Sequence, residues 1–223
     1  MAAPTRKTVE LFYDVVSPYS WFAFEVLCRY KNVWNIELKL KPFFLGGIMN
    51  EASNRPPAMV PNKGKYMFKE MQLLAKYYNV PLVPPKDPAE VMFNKGSLSA
   101  QRFITAVDLM DSSKVEPLSR ELWMRIWSRD EDIVDPDSLQ QAGQKAGLGD
   151  EQVKSCLQKM KDQAVKERLK QYTSEALEYE AFGSPTIIAH VKKPVMLFGS
   201  DRFPILAQVL NEKWDGPIPG SKL

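Results

Sequence analysis

Three groups of residues carry chemistry by their type and spacing. The first is Ser17-Pro18-Tyr19-Ser20, two hydroxyls flanking a proline and a tyrosine. Proline suits the first helical position, so Ser17 stands at a helix N-terminus. That end of a helix carries partial positive charge and free backbone N–H groups. A hydroxyl there can donate to an anion, or it can simply cap the helix. His190 is the chain's single histidine and is remote in sequence, so a serine nucleophile activated by a neighbouring base does not fit. The second group is Gly183-Ser184-Pro185-Thr186. A cis bond before Pro185 would leave the main chain of Ser184 open to an extended peptide. An ordinary trans proline opening a strand is the alternative. The third group is Ser200-Asp201, where N–H groups at a helix start can bind a carboxylate and Asp201 an ammonium, unless the pair is a plain cap. Asn54 and Lys63, in a proline-rich stretch, can hold a further carboxylate or be solvated loop polarity.

These groups need elements to bring them together. Residues 8–14 are rich in β-branched and aromatic types and read as a strand. Residues 18–30 carry apolar side chains at helical spacing, and residues 36–44 alternate as a second strand. This opening is a βαβ unit with parallel strands. Residues 54–64 read as a loop. The stretch 65–180 is mostly helical, with helices expected over 65–78, 97–109, 117–128, 137–147 and 150–180, the last with a break. Short strands at 186–190 and 195–198 and a helix at 203–212 close the chain, with Pro204 in that helix's first turn. The fold class is therefore α/β: a thioredoxin-like βαβ…ββα sheet domain interrupted by a long all-helical insertion. The expected boundaries are 1–50 and 181–223 for the sheet domain and 51–180 for the insertion.

In such a fold the start of the first helix stabilises a thiolate, and Cys-x-x-Cys is its usual occupant. Here both cysteine positions hold serine, so dithiol exchange is excluded at that site. Cys28 and Cys156 stand far apart and match neither a disulfide framework nor a metal spacing. A reducing or redox-neutral compartment fits them. What remains is a site for another molecule's thiolate. Glutathione is an extended tripeptide with a central thiol, and its γ-glutamyl end offers a carboxylate and an ammonium on one carbon. Those features match Ser17, the main chain of Ser184, and Ser200-Asp201. Glutathione is expected as co-substrate, with no other cofactor and no metal.

Several long segments resemble the kappa class of glutathione transferases. They are Phe12-Tyr13-Asp14-Val15-Val16-Ser17-Pro18-Tyr19-Ser20-Trp21, Gly96-Ser97-Leu98-Ser99-Ala100, Glu121-Leu122-Trp123-Met124-Arg125 and Leu197-Phe198-Gly199-Ser200-Asp201-Arg202. The resemblance covers nearly the whole chain. It implies a fold akin to the bacterial oxidoreductase DsbA, a homodimer, and conjugation of glutathione to small electrophiles such as aryl halides. It implies Ser17 as the thiolate-stabilising residue with Pro18 and Tyr19 beside it, and Asn54 and Lys63 near the peptide. It places Ser184, before a cis-Pro185, as main-chain partner, and Ser200 and Asp201 on the γ-glutamyl group. Ser184 departs from the larger apolar residue expected there. Glutathione-dependent 2-hydroxychromene-2-carboxylate isomerases share the Ser-Pro-Tyr opening and are an alternative reading. A redox-inactive peptide-binding protein is another.

The remaining features bound the setting. The chain has 223 residues, is 44% hydrophobic and carries a net charge of +3 with both signs interspersed. No basic stripe suits nucleic acid, and no apolar run spans a membrane. Residues 1–7 lack a secretory stretch, while Arg6 and Lys7 leave organelle import open. The final Ser221-Lys222-Leu223 reads as a peroxisomal address engaging an import receptor, or as a chance ending on a polar tail, and the resemblance to the kappa class implies the mitochondrion as a second location. Trp123 and Trp127 lie one helical turn apart and read as core or subunit contact. Met49, Met59 and Met67 read as core or as an adaptable acceptor pocket. His190 reads as structural.

Overall fold

The computed structural model describes residues 5–220. The expectations for residues 1–4 and for Ser221-Lys222-Leu223 fall outside the described residues. Strand β1 (Lys7–Tyr13) pairs in parallel with β2 (Ile36–Pro42) and antiparallel with β3 (Thr186–Ala189), which pairs antiparallel with β4 (Val195–Phe198). The order across the sheet is β2-β1-β3-β4. The parallel pair is joined by helix α1 (Pro18–Tyr30).

The period-2 pattern of β1 sorts its side chains to two faces. Val9, Leu11 and Tyr13 join Ile187 and Ala189 in the main core, against α1, α4 (Leu98–Met110) and α5 (Val115–Ser128). Phe12 and Ile188 face the other way, onto Phe43, Ile48, Tyr172 and Ala176. Trp123 and Trp127 are both buried. Trp123 packs at 5.2 Å from Tyr13 and 4.8 Å from Phe24. The strand, α1 and α5 thus share one aromatic cluster directly beneath the start of α1.

Several elements differ from the sequence reading. β2 stops at Pro42, and a short helix α2 (Leu45–Glu51) follows. Its Gly46-Gly47 pair argues against helix by propensity. Packing explains the first glycine: a Cβ on Gly46 would lie 2.9 Å from the Phe44 ring. Helix α3 (Pro61–Tyr78) begins inside the expected loop, with Pro61 in its first turn, so Lys63 is helical. A π-helical turn (Glu90–Lys95) was not expected. Helix α6 (Pro136–Lys145) follows α5, and the 150–180 stretch divides into α7 (Asp150–Lys159) and α8 (Gln163–Glu178). The last helix, α9 (Phe203–Leu210), keeps Pro204 in its first turn. No described helix is long and apolar enough to cross a membrane.

Below the second sheet face lies an ion network. Lys41 Nζ pairs with Glu10 at 2.7 Å and with Glu175 of α8 at 2.6 Å, and His190 Nε2 lies 2.8 Å from Glu10. Burial pushes the Glu10 carboxyl up, but hydrogen bonds from Lys41 and His190 outweigh it and hold it below its ordinary value. A depressed carboxyl stabilises the fold above its unfolded pKa and loses that contribution as pH falls through the folded one. Lys41→Met should therefore cost about 2–3 kcal/mol at pH 7, because it leaves Glu10 with His190 as its remaining partner. The gap from the native chain in urea titrations should narrow as the pH drops below the carboxylate range.

Candidate functional site

The loop between β1 and α1 fixes Ser17. Its N–H donates to the Asp14 carbonyl at 3.0 Å, and its own carbonyl accepts from Trp123 Nε1 at 3.1 Å. Ser17 is extended (φ −87°, ψ 115°), and its Oγ accepts the Ser20 N–H at 3.2 Å. It is thus a helix cap. Its hydroxyl hydrogen goes to the Ser184 carbonyl over a long 3.4 Å, a weak bond. The cap uses a lone pair and leaves the proton nearly free, so cap and anion donor are compatible roles.

Facing it is the Ser184–Pro185 peptide bond, which is cis. The Ser184 N–H takes no main-chain partner among the described residues. The Ser184 and Ser20 hydroxyls share a hydrogen bond of 2.5 Å. The place where a larger apolar residue was expected therefore holds a polar tie between α1 and the Pro185 loop. Gly183 packs closely under the Phe198 ring: a Cβ there would lie 2.9 Å from it and would displace the ring.

Ser200 and Asp201 precede α9 rather than cap it. The N-cap is Arg202, and its side chain makes no capping bond. Ser200 is buried, with its carbonyl accepting from Tyr78 Oη at 2.6 Å. Asp201 is exposed and pairs with Arg202. The turn depends on Gly199, whose φ of +106° is favourable only for glycine. Asn54 donates to the Phe182 carbonyl at 2.7 Å, which ties its loop to the segment before Pro185. Lys63, exposed in the first turn of α3, has no ion-pair partner among the described residues.

Ser17, Pro18, Tyr19, Asn54, Lys63, Ser184, Pro185, Ser200 and Asp201 all line one cavity of about 750 Å³. Met49 and Met67 line it too, with Met92 and Phe93, whereas Met59 is an exposed side chain elsewhere. Neither cysteine reaches it; both are buried. Among the described residues no three His, Cys, Asp or Glu side chains could hold a metal.

Two features had no counterpart in the sequence reading. Asp14 is fully buried beneath the cavity. Its Oδ1 accepts from Val16 N at 3.0 Å, and its Oδ2 from Leu45 N at 3.0 Å and Ser97 Oγ at 2.8 Å. One carboxylate thereby joins the Ser17 loop to the starts of α2 and α4. Burial pushes its carboxyl up to about 6 despite these bonds. The signal available was an aspartate between the apolar runs of β1 and Val15-Val16. The second feature is Glu70 of α3, which reaches the cavity hydrogen-bonded to Tyr19 and Tyr66.

The arrangement can take an extended, charged peptide with an anionic atom held at the start of α1. Comparison with known proteins bears on the family and the fold. A family model described as a DSBA-like thioredoxin domain matches residues 8–211. The chain is 52% identical over 217 residues to human glutathione S-transferase kappa 1, covering 97% of this chain and 96% of that one. It is 36% identical to the Caenorhabditis elegans protein named glutathione S-transferase kappa 2, covering 98% of both. A solved 2-hydroxychromene-2-carboxylate isomerase superposes with a TM-score of 0.71 at 20% identity, covering 92% of this chain and 94% of that one. At that identity the likeness concerns the fold.

Proposed function

The chain belongs to the kappa class of glutathione transferases, within the DsbA-like thioredoxin family, and on that premise we propose that Ser17 activates the glutathione thiol for attack on small electrophiles such as aryl halides. The observation that carries this reading is the Ser17 hydroxyl, fixed by the Ser20 N–H yet donating only over 3.4 Å. A thiolate in the cavity offers its proton a better acceptor than the Ser184 carbonyl. A free thiol has a pKa of about 8.5. A hydroxyl donor and a helix N-terminus both favour the charged form; about one unit of depression makes it a substantial species at neutral pH and about two units the main one.

In the reaction the thiol proton leaves to solvent. The thiolate electron pair then forms the S–C bond, and the C–halogen bond breaks to release halide. The Ser184 main chain holds the cysteinyl unit, and Ser200 and Asp201 the γ-glutamyl end, with Asp201 exchanging Arg202 for the ligand ammonium. Lys63 and Asn54 hold the glycyl carboxylate, and Pro18 and Tyr19 wall the thiol. A homodimer and delivery to the peroxisome through Ser221-Lys222-Leu223, with the mitochondrion as second location, complete the proposal.

Product stoichiometry tests it. With 1-chloro-2,4-dinitrobenzene, one glutathione should disappear for each conjugate detected by mass spectrometry. Failure to conjugate, with glutathione bound and fully recovered, would instead favour the isomerase. No glutathione binding at all would favour the peptide-binding scaffold.

A further inference from the structure

The cavity-facing side of α3 carries a carboxylate to which the reaction above gives no task. Glu70 Oε2 accepts from Tyr19 Oη at 2.5 Å and Oε1 from Tyr66 Oη at 2.9 Å. Both phenol protons are thus committed to Glu70, and its two oxygens are fixed in place. All three side chains line the cavity. Glu70 has no ion-pair partner among the described residues. It stands beside Met67 and Met92 in the cavity, which Lys63 lines about two helical turns away. Burial, reinforced by Glu70, holds the Tyr19 phenol above its ordinary range, so Tyr19 stays a neutral donor.

Position along α3 gives this charge its role. At 1.5 Å rise per residue, Glu70 lies about 10 Å from Lys63 and about 12 Å from Tyr78 along the helix axis. Lys63 is assigned the glycyl carboxylate, and Tyr78 Oη bonds the carbonyl of Ser200, at the γ-glutamyl end. Helix α3 therefore presents Glu70 to the same cavity as Lys63, about two turns further along. Tyr19, two residues past Ser17, carries the carboxylate toward the thiol.

We propose that Glu70, held by Tyr19 and Tyr66, sets a charge preference for the second substrate, favouring neutral or cationic electrophiles over anionic ones. This rests on the glutathione reading given above. A single charge in a partly solvated cavity, less than about 10 Å from the incoming group, is enough for about a tenfold discrimination. It should weaken as salt is raised.

The test compares 4-chloro-3-nitrobenzoate with its neutral methyl ester, which share ring and leaving group. The ratio of kcat/KM for ester over acid, corrected for the uncatalysed rates, should be about tenfold higher in the native enzyme than in Glu70→Gln. It should also fall with added salt in the native enzyme alone, and Glu70→Lys should invert it. A ratio unchanged in Glu70→Gln and insensitive to salt in the native enzyme overturns the proposal. So does a rise in the glutathione KM without a change in the ratio, which would move Glu70 to the γ-glutamyl end. Should Glu70→Gln fail to fold, the salt dependence of the native ratio decides alone. Failure of the native enzyme to conjugate even the ester would remove the glutathione reading itself, and this inference with it.

Discussion

Ser17→Ala should lower kcat/KM for conjugation by about 100-fold below pH 6, the equivalent of two pKa units of lost thiolate stabilisation, and by about 25-fold at pH 7, where the native thiolate is already largely formed. The shape of the pH profile matters more than the size of the loss. The native enzyme should level off well below the ordinary thiol pKa, because its bound glutathione is already ionised. The alanine variant should climb with pH until free-thiol ionisation is reached near about 8.5. Ser17 also caps α1 through the Ser20 N–H, so the variant loses about 1 kcal/mol of stability besides. Ser17→Thr separates the two effects. It keeps the hydroxyl, and it should restore most of the native pH profile. A cap-only role would let both variants keep the native profile.

The second large effect concerns Asp14, which touches no substrate. Asp14→Ala leaves Val16 N, Leu45 N and Ser97 Oγ without their buried acceptor. At about 1–3 kcal/mol for each orphaned donor, a loss of about 5 kcal/mol is expected while Asp14 is protonated. Ionisation offsets part of that. The folded-state pKa, about 6, lies above the ordinary aspartate value. A carboxyl raised in this way contributes stability that is full below the unfolded pKa and lost as pH rises through the folded one. The two units or so of elevation correspond to about 3 kcal/mol. The native chain should therefore exceed Asp14→Ala by about 5 kcal/mol near pH 4 and by only about 2 kcal/mol near pH 7.5, measured by urea denaturation. The surviving folded variant should also conjugate slowly, since the Ser17 loop loses its tether to α2 and α4. A constant stability gap across that range would count against a buried, elevated Asp14.

The features visible in the sequence are those set by local rules. The alternation of β1, the helical spacing after Pro18, and Pro204 in the first turn of α9 all follow from short-range geometry. Ser17 could be placed at a helix start for the same reason. The resemblance of its flanking segments to the kappa class identified the family to which the chain belongs. Helix α2 was hidden because Gly46-Gly47 disfavours helix on its own, and only the Phe44 ring explains the first of them. Prolines crowd the stretch around Lys63 and read locally as loop, although Pro61 opens α3. The tie between Ser20 and Ser184 joins residues 164 apart, and Asp14 reaches Ser97 across 83. Glu70 meets Tyr19 across 51. Pairings at such separations are decided by how helices pack on the sheet, which no local pattern records. The Ser184–Pro185 bond illustrates the same limit: sequence admits cis or trans, and the cis form stands in the structure.

The most direct measurement is the ultraviolet absorbance of bound glutathione thiolate, titrated against pH in the native enzyme and in Ser17→Ala. The account predicts a thiol pKa one to two units below the free value of about 8.5 in the native complex, returning most of the way in the variant. Glutathione bound with an unshifted pKa in both proteins would contradict it and leave Ser17 as a helix cap alone.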